Sequence, residues 1–154
     1  MATRFSIVGN FGSVSTAKDV LRIAGPTSGI ARIIELHVTN DTDETSEMLP
    51  FAVSFATGTA GVGTSATPVN LEGNSSLISA GAYAGFSAIY NLSTPETAAA
   101  DITRESVNIL SGYHFVPVPE ARPVLRAGGR LTCALETAPT NTLSLSVYAI
   151  VEVE

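Results

Sequence analysis

From Thr142 to Val153 the chain alternates with a period of two. Leu143, Leu145, Val147, Ala149, Val151 and Val153 fall on one side, and Thr142, Ser144, Ser146, Tyr148, Ile150 and Glu152 on the other. Successive side chains of a strand point to opposite faces, so this run predicts a long strand with one buried face. Leu131, Cys133 and Leu135 alternate with Thr132, Ala134 and Glu136. Ala138-Pro139-Thr140-Asn141 makes a turn between the two runs, so 130–153 reads as a hairpin. Upstream, Ile34, Leu36 and Val38 oppose Glu35, His37 and Thr39. Phe51, Val53 and Phe55 oppose Ala52, Ser54 and Ala56, and Phe86, Ala88 and Tyr90 oppose Ser87, Ile89 and Asn91. Weaker runs at 5–8, 19–23, 106–110, 113–116 and 124–126 bring the expectation to nine or ten strands, enough for two packed sheets. Ala, Ser and Thr pack thin sheets closely, and 13 Gly and 8 Pro divide the chain into short segments.

One short helix is expected near 94–101. Ser93-Thr-Pro95-Glu96 has capping-box spacing, Pro95 suits a first turn, and Ala98-Ala99-Ala100 follows. Tyr113-His-Phe-Val-Pro117-Val-Pro119 reads as a strand running into an extended segment, because each Pro lacks a ladder donor. At 154 residues the chain suits one domain, read as 18–154. Residues 1–17 stand apart: Gly9, Gly12, Ser13, Ser15 and Thr16 surround the aromatics Phe5 and Phe11, as in an edge strand or in an extended arm docking on a neighbour.

Charge narrows the function classes. Eight Lys and Arg against fourteen Asp and Glu leave −6, too few cations for a phosphate-binding face, so nucleic acid is not an expected partner. A hydrophobic share of 45% argues against disorder, and the single Cys133 excludes a disulfide framework. No apolar run reaches membrane-spanning length, and Met1–Gly9 lacks the apolar stretch of a secretory signal, so synthesis in a cytoplasm is expected and a membrane is not an expected partner. The sequons at Asn40, Asn74 and Asn91 are then chance matches in a Ser/Thr-rich chain.

The chemical motifs are thin. Gly61-Val-Gly63-Thr-Ser-Ala66 matches a dinucleotide fingerprint in form, but Pro68 and Asn70 follow where a helix must start, so it reads as a loop between strands. Asp41-Thr-Asp43-Glu44-Thr-Ser-Glu47 has the acids of a calcium loop without its remaining ligands, so it reads as a solvated loop. His37 and His114 are the only histidines; no zinc spacing or Gly-x-Ser-x-Gly elbow accompanies them, and His37 shares an outward face with Glu35. Cys133 lies on an apolar strand face as a small hydrophobe. No catalytic residue, metal or cofactor is expected. Arg122, Arg126 and Arg130 cluster around Pro123 and Gly128-Gly129, and with Arg32 and Arg104 they suit an acidic partner surface, since Arg favours bidentate carboxylate contacts.

Five features recur together: the leading Phe5-Ser-Ile-Val8; Ile33-Ile-Glu-Leu-His-Val-Thr39 running into a polar loop; Gly61-Val-Gly-Thr-Ser-Ala-Thr-Pro-Val-Asn-Leu71; Pro123-Val-Leu-Arg-Ala-Gly-Gly-Arg-Leu131; and an end in Val-Glu-Val-Glu154. In this pattern the chain resembles the cement or decoration proteins of tailed-bacteriophage capsids. The resemblance implies an all-β, two-sheet antiparallel sandwich of jelly-roll type. It implies a virion structural protein on the outer capsid surface that bridges neighbouring subunits of the major capsid protein as a homodimer or homotrimer. It carries over no catalytic residues. Arg4, Phe5, Phe11, Arg122, Arg126 and Arg130 are the expected partner-binding residues. The alternative is a receptor- or glycan-binding jelly-roll head of a phage fibre or spike, with Tyr83 and Tyr90 as its aromatic platforms. A cupin-type enzyme would need a metal-binding His/Glu motif that the sequence lacks.

Overall fold

The structure, a computed structural model, describes residues 2–42, 46–72 and 83–154. Its strands are β1 (Thr3–Val14), β2 (Lys18–Ala24), β3 (Ala31–Asn40), β4 (Met48–Thr57), β5 (Val62–Ala66), β6 (Val69–Asn70), β7 (Ser87–Thr94), β8 (Thr97–Asn108), β9 (Tyr113–Phe115), β10 (Val124–Leu125), β11 (Arg130–Leu135) and β12 (Leu143–Val153). Among the described residues the only helical element is a 3-10 turn, Pro119–Ala121.

Two antiparallel sheets pack face to face. One has the order β10-β3-β12-β1-β6, with β9 also on β3; the other has the order β5-β7-β2-β11-β4-β8. Strands β1, β3 and β12 lie in the first sheet and β2, β4, β8 and β11 in the second, while β9 and β10 together fill one place beside β3. This winding is the jelly roll, as expected. The β5–β7 segment is inserted between β4 and β8. It adds β6 to the β1 edge of one sheet and β7 and β5 to the β2 edge of the other, closing that side of the sandwich.

The alternation of β12 holds along its whole length: every residue from Leu143 to Val153 on the apolar side is buried. β12 is flanked by β1 and β3, so its ladder groups are paired on both sides. β1 follows the same rule. Phe5, Ile7, Phe11 and Val14 are buried, and Gly9 keeps the inward register because a Cβ there would lie 2.5 Å from the Tyr90 ring. Facing them, Phe51 stacks on Tyr113 with ring centroids 5.3 Å apart, and Phe5 meets Tyr83 edge-on at 5.5 Å.

Of the two readings of residues 1–17 the structure shows the strand, since Thr3–Val14 pairs with β12 from Thr3↔Val153 to Val14↔Leu143. Four expectations are corrected. The helix near 94–101 is instead the start of β8, with Ala98 opposite Ala56 and Asp101 opposite Ser54. A helix this short is marginal by itself, and the open edge of β4 offers it a full ladder. The 130–153 hairpin does not form, because β11 pairs with β2 and β4 while β12 lies in the other sheet. Alternation identifies a buried face and not the neighbouring strand. In β3 a register shift beside Ile150 and Val151 sets Ile33, not Ile34, into the core. The Gly61–Ala66 run is not a loop, since Val62–Ala66 is edge strand β5; with β6 it raises the strand number among the described residues to twelve.

Candidate interaction surfaces

The chain between β7 and β8 must pass from the β2 edge of its sheet to the β4 edge. Glu96 lies in that crossing with its side chain wholly buried. Its Oε1 accepts from the Gly61 N–H at 2.9 Å and lies 3.4 Å from an Arg22 guanidinium nitrogen; its Oε2 accepts from Arg130 Nε at 2.9 Å. Arg130 also donates to the Gly58 carbonyl at 2.7 Å, and the Glu96 N–H donates to Asp19 Oδ2 at 2.6 Å. Two carboxylates and two guanidiniums thus join β2, β11, the β4–β5 loop and the crossing. This balanced network accounts for Arg130 without an external partner. The expectation that Arg130 meets another protein is therefore corrected: its acid is Glu96.

Burial pushes the Asp19 carboxyl above its usual range. Bonds from the Glu96 N–H and the Thr132 hydroxyl pull it back in part, and the Glu96 charge adds to the rise. A carboxyl raised in the folded state favours folding when protonated. Its contribution is full below the unfolded value of about 4 and is lost as pH rises through the folded value. Asp19→Asn keeps an acceptor for the Glu96 N–H and removes the buried charge. The variant is expected to lose less stability than the parent between about pH 4 and pH 7. Urea midpoints across that interval measure this, and a larger loss in the variant would contradict it.

A groove of about 450 Å³ crosses the solvent face of the β12 sheet. Ile34, Ile150 and Leu71 give it an apolar lining, and Glu35, Glu72 and Glu152 give it acid. Glu152 is already engaged: Arg4 Nε lies 3.3 Å and an Arg32 nitrogen 3.7 Å from its carboxylate, while Arg32 also pairs with Glu154 at 2.8 Å. Arg4 is thus exposed, as expected of a contact residue, but bound to its own strand neighbour. Among the described residues no Arg or Lys pairs with Glu35 or Glu72; the basic neighbour of Glu35 is His37, with Nε2 at 3.5 Å. That pair matches the expected outward couple. His114 lies directly across from His37 on β9, with ring centroids 4.5 Å apart.

The edge beside this face is basic. β10 pairs through Val124↔Arg32 and Leu125↔Ala31. Pro123 and Leu125 are buried, whereas Val124 and Arg126 are exposed and Arg122 is half-buried. Arg122, Val124 and Arg126 therefore share one side of the chain, Val124 and Arg126 fully outward and Arg122 less so, with its Nε buried and without a hydrogen-bond partner among the described residues. Neither arginine has an acid within 4 Å among the described residues, in contrast to the other five arginines. The β9–β10 connection above them exposes Val116 and Val118 by 60% and 62%.

Of the remaining expected contact residues, Phe5 and Phe11 are corrected: both are buried, the first against Tyr83 and Phe86 and the second against Tyr90. Their spacing of six places both on the inward side of β1, a signal legible in the sequence. Tyr83 and Tyr90 are tied to the same core, and the Tyr83 hydroxyl donates to Thr3 at 2.8 Å. In the acidic run, Asp43, Glu44 and Thr45 lie outside the described residues, as does the sequon at Asn74. Asp41 accepts from Asn10 at 2.7 Å, and Glu47 accepts from the Thr140 N–H at 3.0 Å. Cys133 is fully buried, and burial pushes its thiol far up, as suits a packing residue. Among the described residues no helix is long and apolar enough to cross a membrane, and no three acid, His or Cys side chains gather as a metal site. No protein-family model and no curated protein matches the chain.

Proposed function

We propose that the chain is a capsid cement protein of a tailed bacteriophage, bound to the outer surface of the shell and bridging neighbouring major capsid protein subunits. One observation carries this reading beyond the sequence pattern. The most exposed large apolar side chains project outward by 56–62%: Val8 on the open face of β1, and Met48, Val62, Leu110, Val116 and Val118 at strand ends and in connections. Such residues suit flat contact with a neighbouring subunit better than capture of a small molecule. A protein that binds the assembled shell and not its free subunits stabilises the shell by mass action, and repeated weak sites on one lattice reinforce each other. The fibre or spike reading is weaker here, since Tyr83 and Tyr90 serve the core.

Quantitative mass spectrometry of purified particles from the source, referenced to the major capsid protein, tests this. Copies in the hundreds per particle are the expected result. A few copies would make the chain a spike or vertex component, and none would remove it from the particle.

A further inference from the structure

We propose that the chain forms a two-fold homodimer in which the Arg122–Val124–Arg126 row of each protomer lies in the acidic groove of the other. The inference is independent of the capsid reading, since every group it uses belongs to this chain.

Three observations meet. The row presents two cations without acidic partners around an exposed valine. The groove presents Glu35 and Glu72, acids without Arg or Lys partners among the described residues, around Ile34, Ile150 and Leu71. Charge and apolar surface are thus complementary in kind, with guanidiniums flanking an aliphatic centre on one side and carboxylates flanking an aliphatic lining on the other. The cation lining the groove, Arg4, is held by Glu152, and the nearby Arg32 is held by Glu152 and Glu154. Glu120, in the loop preceding the row, makes no ion pair with either arginine.

Topology supplies the symmetry. Val124 is in register with Arg32, and Ile34 of the groove follows two residues later on the same strand. Row and groove are therefore neighbours on one face. A two-fold axis beside β3 brings each row to the other groove at once, which is the self-complementary arrangement of a closed dimer. A single row in a single groove would leave one set of charges unmatched.

Sedimentation velocity on the full chain tests this without any shell. The expected species is a dimer at tens of micromolar in low salt, weakened by added NaCl. Arg122→Glu with Arg126→Glu sets acid against acid, and Glu35→Arg with Glu72→Arg sets base against base. Each variant alone is expected to dissociate on the order of tenfold or more readily than the parent. Mixed in equal amounts the two are expected to form a heterodimer, because both of its row-in-groove contacts are again opposite in charge. A misfolded variant cannot give that recovery, and circular dichroism of each confirms its fold. A parent chain monomeric to about 100 μM overturns the proposal; so does a dimer indifferent to both variants, or a mixture that stays monomeric.

Discussion

Glu96→Ala is expected to destabilise the fold by about 3–5 kcal/mol, the range found when one member of a buried ion pair is removed. The substitution strips Arg22 and Arg130 of their shared carboxylate and leaves the Gly61 N–H without its acceptor. Both guanidiniums are mostly buried, with side-chain exposures of 12% and 16%, so water can replace little of what is lost. Glu96→Gln keeps the shape and one acceptor, and is expected to fall between the parent and the alanine variant. Urea denaturation at neutral pH gives both values. An alanine variant within 1 kcal/mol of the parent would mean that the network contributes little and that the crossing is held by its strands.

Deleting residues 1–14 is expected to abolish cooperative folding. The deletion removes β1, the strand between β12 and β6, together with the buried side chains of Phe5, Ile7, Phe11 and Val14. Truncating one buried Phe to Ala typically costs about 3–5 kcal/mol. A whole domain is stable by about 5–15 kcal/mol. Two phenylalanines and a ladder therefore exceed what the rest can spare. Loss of the thermal transition in circular dichroism and collapse of amide dispersion in NMR are the expected readouts. A truncated chain that still melts cooperatively would restore the arm reading. A shell-binding defect in this truncation would report unfolding rather than a lost contact, so surface variants such as Arg126→Glu are the cleaner probes.

The sandwich was legible because its longest signal is purely local. Leu143 through Val153 alternate without a break, and a strand of that pattern has one buried side whatever lies beside it. What failed was information carried by distant partners. Ser93 and Glu96 do have capping-box spacing, yet the Glu96 carboxylate is drawn to Arg22 and Arg130, 74 and 34 residues away in the chain. The runs at 131–136 and 142–153 carry the pattern of a hairpin, although nothing within 130–153 tells a turn that stays in a sheet from one that changes sheets. Ile33 and Ile34 were exchanged by a single bulge, which flips sidedness without altering composition. Among the expected contact residues, Arg126 is outward and Arg122 half-buried, both without acidic partners among the described residues, while Arg130 is claimed by the interior. Separating the three required knowing that Glu96 crosses over β11.

The strand that joins β1 to β3 is made after almost everything else. Until Leu143–Val153 has been synthesised, β1 and β3 have no ladder between them and the sheet facing β11 has no centre. Pairing of Thr3 with Val153 joins β1 to β12 across every other strand of the sandwich, the kind of contact that makes β folds slow to close. During translation the nascent chain therefore carries two unpaired strand edges with their apolar faces open, in a crowded setting where such edges find each other. Closure of this sheet waits for β12, and the yield of folded protein depends on how well those edges are kept apart until β12 arrives.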